Sequence, residues 1–351
     1  MSIEKNSFSF VDNREAFLYT LKNNSGASVS VTDFGATTVK ICVPDKNGVI
    51  DDIALGYDSA MGYMNGTSSQ GGTIGRYANR IAPCGITAKD VNYKLALNDG
   101  GNCTLHGGNI GFNKRFWNVV SMDAGENPSI TFEYVSPNGE ENFPGTVVAR
   151  VTYTFTEDNE LKLFYEATTD DDTYVNLTNH TYFNLKGYGK GDVLSHEVTI
   201  NAIGYTPVNS IFIPTGEVKP VKDTVFDFTS PKTIAKDLFS GDKELEAARG
   251  YDHNFVLGEP HVMRNAAKVY EPSTGRVLEV ITDKPAMQLY IGNFLDSTET
   301  GKEGIKFAHR TGFCLETQYS PDSPNQKSFY NTLLKPGEKY EYTTIFKFYA
   351  E

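Results

Sequence analysis

The chain has 351 residues, of which 39% are hydrophobic and 22% charged, enough apolar material for a large buried core. Its 32 basic and 44 acidic side chains leave a formal charge of −12. That excludes nucleic acid and anionic membrane as expected partners, because both demand a positive footprint. A neutral small molecule is the better match.

The start, Met1-Ser2-Ile3-Glu4-Lys5-Asn6, has neither the basic end nor the apolar stretch of a signal peptide. No apolar run reaches the length of a membrane span. A cytoplasmic location is expected, with Cys42, Cys84, Cys103 and Cys314 as free thiols, since they form no C-x-x-C pair and no disulfide framework.

In chain order, strands are predicted at 28–34, 36–44, 130–135, 147–155, 161–168, 196–203, 277–282, 287–294 and 340–349. Each run is rich in β-branched and aromatic residues and bounded by Gly, Pro, Asn or Asp. Turn chemistry stands at Asp45-Lys46-Asn47-Gly48, Asn98-Asp99-Gly100-Gly101 and Ser136-Pro137-Asn138-Gly139. The Gly-rich segment 62–75 reads as a loop, since it lacks the G-x-x-x-x-G-K-[ST] pattern of a phosphate cradle. Helical character is confined to 232–249, broken at Ser240-Gly241 into two short pieces, with Gly250 as the closing residue. No repeat or linker divides the chain. The expected fold is all-β, a single large antiparallel β-sandwich over 1–351 with few short helices.

Two distant segments place a titrating group inside a strand-like run. Leu177-Thr178-Asn179-His180-Thr181-Tyr182 carries an imidazole, and Phe313-Cys314-Leu315-Glu316-Thr317-Gln318 carries a carboxylate. A strand core tolerates neither unless it is paired or used. Together they are the two groups that proton transfer near neutral pH requires. Strand alternation puts Thr178, His180 and Tyr182 on one face, Gln288 and Tyr290 on one face of 287–293, and Glu316 with Cys314 and Gln318 on one face of the last run. If these strands are neighbours, His180, Gln288 and Glu316 line one polar cavity.

Three loop clusters add candidates: Arg76, Asn79 and Arg80 in Gly75-Arg76-Tyr77-Ala78-Asn79-Arg80-Ile81, His106 before Gly107-Gly108, and Asp252 in Gly250-Tyr251-Asp252-His253-Asn254-Phe255. Each has a plainer reading. A single histidine is commonly a satisfied buried residue, Arg80 could serve only a structural acid, and Asp252 suits a turn. His196, His261 and His309 have no supporting context. A zinc site from His106, His180 and Asp252 has no supporting ligand spacing, so no metal is expected.

The segments 75–81, 105–108, 178–185, 250–255, 287–290, 292–294 and Leu315-Glu316-Thr317-Gln318 resemble, in order and approximate spacing, the aldose 1-epimerase (galactose mutarotase) family over nearly the whole chain. Cys84 is a local departure outside those segments. The resemblance implies a large β-sandwich and a free monosaccharide as substrate, with no metal or organic cofactor. It implies Glu316 as general base and His180 as general acid. His106 would stand near the ring oxygen, and Arg80, Asp252, Gln288 and Asn79 would hold sugar hydroxyls. A monomer or homodimer is expected.

The chemistry fits. A base removes the C1 hydroxyl proton, an acid protonates the ring oxygen, the ring opens, the aldehyde turns and the ring closes on its other face. This requires Glu316 ionised and His180 protonated at the start. Three other readings are a glycoside hydrolase using Asp252 and Glu316, a non-catalytic sugar-binding module, and a hexose-6-phosphate 1-epimerase drawing on Arg76, Lys114 and Arg115.

Overall fold

The computed structural model describes residues 1–351 and is built from β-sheet with two short helices. The first five strands, Ser2–Val11, Arg14–Lys22, Ser28–Thr32, Thr37–Pro44 and Ile50–Asp52, pair in sequence as an antiparallel meander. A nine-stranded antiparallel sheet runs, in spatial order, through Asn118–Asp123, Ser129–Ser136, Val147–Phe155, Glu160–Thr169, Tyr340–Ala350, Arg276–Thr282, Arg264–Tyr270, Glu197–Ile200 and Lys232–Thr233. A third, four-stranded sheet joins Gly204–Tyr205, Asp252–Val256, Ala286–Tyr290 and Cys314–Gln318. No helix is long and apolar enough to cross a membrane.

Alternation explains the layering. Val147, Ala149, Val151, Tyr153 and Phe155 are buried, as are Tyr342, Phe346 and Phe348. They meet Leu21, Val29, Val31 and Ile41 of the meander and Phe255, Met287, Leu289 and Leu315 of the four-stranded sheet in one contiguous core, the sandwich filling.

The predicted strands are present, most within two residues of the expected ends. The 287–294 run stops at Tyr290, because Gly292 takes a left-handed φ of 67° and turns the chain. The 177–182 run is a strand only at Thr178–Asn179. Around it the backbone is satisfied singly: Leu177 N–H donates to Tyr340 Oη at 2.8 Å and His180 N–H to Gly72 O at 3.0 Å.

The helical reading of 232–249 holds only at its end. Lys232–Thr233 is an edge strand beside Glu197–Val198, 234–240 is turn, and Lys243–Ala247 is the helix, capped by Asp242 accepting from Glu244 and Leu245 N–H. The left-handed closing residue is Arg249, with φ 56°, rather than Gly250. Segment 62–75 is not all loop either: a helix at Ala60–Asn65 enters it, and Thr73–Ile74 pairs with Thr178–Asn179.

Arg76, proposed for phosphate, is spent on structure. Its guanidinium is buried and donates to Pro144 O at 2.8 Å, Gly145 O at 2.9 Å and Ser136 Oγ at 2.5 Å. Arg115 pairs with Glu140 at 3.0 Å.

Candidate active site

Three strands of the four-stranded sheet put their polar faces in register. Asn254 lies opposite Gln288 and Gln288 opposite Glu316; one pleat along, Asp252 lies opposite Tyr290 and Tyr290 opposite Cys314. Residues in register share a face, so the sheet presents Asp252, Asn254, Gln288, Tyr290, Cys314, Glu316 and Gln318 together, with Phe255, Met287, Leu289 and Leu315 turned into the core. The amides lock the row: Gln288 Nε2 donates to Asp252 Oδ1 at 2.7 Å, and Gln318 Nε2 to Asn254 Oδ1 at 3.0 Å.

A cavity of about 410 Å³ opens on this face. Of the seven residues singled out in the sequence, Glu316, His180, Arg80, His106, Asp252 and Asn79 line it. Gln288, on the same face of the sheet and buried like Glu316, turns its amide to Asp252.

At the foot of the cavity, His180 Nε2 stands 3.6 Å from Glu316 Oε1, and both side chains are buried. The imidazole stacks on Tyr182, with ring centroids 5.0 Å apart, and its Nδ1 is 3.5 Å from Cys314 Sγ. Glu316 Oε2 is buried without a hydrogen-bond partner in the protein. Burial pushes the Glu316 carboxyl well above its usual range, reinforced by the Asp252 carboxylate and opposed by Arg80. Burial also pulls His180 down, to about 4. The expectation of an ionised Glu316 beside a protonated His180 is therefore corrected, because burial of the pair disfavours both charges. The proton count survives the correction. A neutral carboxyl with a neutral imidazole, and a carboxylate with an imidazolium, contain the same single proton.

His106 is set by the backbone. Gly107 takes a φ of 88°, and a Cβ there would lie 2.1 Å from Gly75 O, so only glycine allows the turn. Asn79 N–H donates to His106 Nδ1 at 3.2 Å. Burial holds His106 neutral, its pKa well below the usual value, so the ring proton resides on Nε2 and His106 is a neutral N–H donor. The ligand atoms of His106, His180 and Glu316 lie within 4.8 Å of one another, a separation a metal could exploit. The donor set does not fit one: with Nδ1 committed to Asn79 and Nε2 protonated, His106 has no lone pair to offer.

Arg80 spans two acids. Its Nε is 2.8 Å from Asp99 Oδ2 and its Nη1 3.7 Å from Asp252 Oδ2, and its Cζ lies 5.0 Å from the Phe212 ring centroid. Asp99 and Phe212 line the cavity, as do Phe294 and Glu299 at its mouth. Asp99 carried only turn chemistry in the sequence and Phe294 only its place in the 292–294 segment, while Phe212 and Glu299 carried no signal. Arg80 is the only Lys or Arg in the lining, against five carboxyl groups, Asp99, Asp252, Asp296, Glu299 and Glu316.

The buried imidazoles predict acid lability. Burial lowers His106 well below its usual value, His180 and His253 to about 4 and His196 to about 3. Below the unfolded value near 6.5, the unfolded chain takes up protons that the folded chain refuses. Each imidazole then costs on the order of 1 kcal/mol per pH unit as pH falls toward its folded value. Glu316, Asp33 (about 6) and Glu244, with raised pKa values, act in the opposite sense, three carboxyls against four imidazoles. The urea midpoint is expected to be lower at pH 5 than at pH 7; equal midpoints would show that these rings are not held neutral.

Fold and site together define a β-sandwich protein with a buried carboxyl–imidazole pair at the foot of a polar cavity. Residues 18–347 match the aldose 1-epimerase family, and the chain belongs to that family. It is 43% identical to a galactose mutarotase of Bos taurus over 91% of this chain and 90% of that one. It is 39% identical to an aldose 1-epimerase of Haemophilus influenzae over 99% of both. Among solved structures, a galactose 1-epimerase from Lactobacillus acidophilus superposes with a TM-score of 0.85 at 29% identity, covering 99% of each chain. An aldose epimerase homologue from C. elegans superposes with a TM-score of 0.87 at 30% identity, covering 95% of this chain and 99% of that one.

Proposed function

We propose that the protein interconverts the α and β anomers of free aldohexoses, galactose and glucose among them, with Glu316 and His180 exchanging protons with the C1 hydroxyl and the ring oxygen. The observation that carries this is the 3.6 Å approach of His180 Nε2 to Glu316 Oε1 at the floor of a sugar-sized polar cavity. The two oxygens that trade protons in ring opening share one carbon, so acid and base must stand this close.

Moving the pair's one proton from Glu316 to His180 creates base and acid in the same event. Glu316 then takes the C1 hydroxyl proton while His180 gives its proton to the ring oxygen, and the C1–O5 bond breaks. After rotation of the aldehyde, His180 takes its proton back as C1–O5 reforms, and Glu316 returns its proton to O1. Nothing is consumed. His106 Nε2–H, Arg80, Asp252 and the Asn79 side chain hold sugar oxygens, and Gln288 keeps Asp252 in place. Tyr182 and Tyr290 pack on the C–H side of the ring. The whole chain acts as one unit, as monomer or homodimer, in the cytoplasm.

The cavity's charge weighs against a phosphorylated sugar, since one guanidinium cannot offset the four carboxylates Asp99, Asp252, Asp296 and Glu299. Asp252 is committed to Gln288 and Arg80, which weighs against its service as one of a glycosidase's two carboxyls. The deciding experiment dissolves crystalline α-galactose or α-glucose and follows optical rotation with catalytic protein. Relaxation faster than in buffer is expected for both. Acceleration of glucose 6-phosphate alone, or of no sugar, would overturn the proposal.

A further inference from the structure

Arg80 reaches the cavity from a short strand, Arg80–Ile81, which pairs only with Thr104–Leu105. So brief a ladder does not fix the base of a long side chain. The rest of the support comes from the segment that follows Glu316. Beyond its strand the chain runs on as Tyr319-Ser320-Pro321-Asp322-Ser323-Pro324-Asn325-Gln326, and Asp322 closes on Arg80 from both sides. Its N–H donates to Arg80 O at 2.8 Å, and its Oδ1 accepts from Ala82 N–H at 2.9 Å.

Asp322 is 1% exposed. A buried carboxylate is unfavourable unless its oxygens are satisfied, and here neutral N–H donors satisfy them. Besides Ala82, Oδ1 accepts from Asn325 Nδ2 at 2.7 Å, and Oδ2 accepts from Gln326 Nε2 at 2.9 Å. Both amides carry the contact onward. Asn325 Nδ2 donates to Gly85 O at 3.0 Å, and Gln326 Nε2 to Pro214 O at 3.3 Å. Pro214 pairs with Val208 to close the turn that carries Phe212, the ring beside the Arg80 guanidinium. Phe212 takes a left-handed φ of 60°, which a bulky residue adopts only where its surroundings impose it. One carboxylate thus joins the backbone that bears Arg80 to the loop that covers its tip.

We propose that Asp322 is a positioning residue for Arg80, tying the guanidinium to the segment that bears Glu316 so that a sugar oxygen meets both at a fixed spacing. This rests on the role given to Arg80 above. The Asp322 carboxylate is occupied by the bonds just described, and its effect on the sugar passes through Arg80.

The test is steady-state anomer exchange of galactose by Asp322→Asn, alone and combined with Arg80→Met. The amide keeps the shape but turns one acceptor into a donor, which then faces a donor. KM is expected to rise roughly 5- to 30-fold, the worth of about one hydrogen bond to a charged group, with kcat changed less. In the Arg80→Met background the same substitution is expected to change KM by less than about 2-fold, because the contact it acts through is already gone; a damaged scaffold would show its full effect in both backgrounds. No KM effect in the wild-type background, or an undiminished one beside Arg80→Met, overturns the proposal. Should Asp322→Asn fold poorly, Gln326→Leu removes one of the carboxylate's donors from a half-buried position and goes through the same cycle, with the same outcomes deciding. If wild type does not accelerate galactose, or Arg80→Met matches wild type, the role of Arg80 falls and amide hydrogen exchange reads the tether instead. Faster exchange in Asp322→Asn at both 79–85 and 207–216 supports it; unchanged exchange at either overturns it.

Discussion

Glu316→Gln is expected to lower the rate of anomer exchange by about 10²- to 10⁴-fold, the contribution of one positioned acid–base group, while leaving sugar affinity within a few-fold of wild type. The amide keeps the shape of the carboxyl and can still hydrogen-bond, but it cannot accept and return a proton. The structure adds a second expectation that separates lost chemistry from lost folding. Burial raises the Glu316 pKa, so the folded chain gains protons relative to the unfolded one above pH 4.5. The site's stability is then greatest at low pH and declines as pH rises toward the folded pKa. Gln carries no such cost, and the variant should melt at or above the wild-type temperature at pH 7. Polarimetry paired with thermal unfolding checks both parts. Near-normal turnover would remove Glu316 from the chemistry; an inactive but clearly less stable protein would point to a structural role.

His180→Ala is expected to cost a similar 10²- to 10⁴-fold, for loss of the group that serves the ring oxygen. The deletion leaves a hollow bounded by Tyr182 and Cys314, next to Glu316. Added imidazole can occupy that hollow and carry the missing proton, so partial recovery that rises with imidazole concentration is expected. Glu316→Gln should show no such recovery. If His180→Ala keeps most of its rate, or if imidazole restores both variants alike, the assignment of His180 fails.

Much of this was legible beforehand. The β class followed from period-two patterning, and the buried carboxyl–imidazole pair from two polar residues where a strand core should have none. The strand register that joins Gln288 to Glu316 was inferred from alternation alone and is present. What escaped did so for physical reasons. Ser2–Val11 and Asn118–Asp123 are largely exposed strands whose polar residues blur the alternation. The 232–240 segment has helical composition, but pairing with Glu197–Val198 decides Lys232–Thr233 instead. Gln288 has the expected face, and its amide is drawn to Asp252. Phe212 and Glu299 belong to loops whose folding back over the site leaves no local pattern. The charge states of His180 and Glu316 depend on burial, a property of the assembled cavity and not of either segment.

The pairing of Cys314–Gln318 with Ala286–Tyr290 also works as a reading frame. Displaced by one residue, it would deliver Leu315 and Thr317 to the cavity and drive Glu316 into the apolar interior, a silent loss with every residue still present. The placement of Glu316 is keyed to that frame, whereas Phe212, Phe294 and Glu299 of the cavity lining are borne on connecting segments. Such a division lets recognition drift by insertion, deletion or exchange in the rim, while the proton-handling floor stays where the sheet puts it.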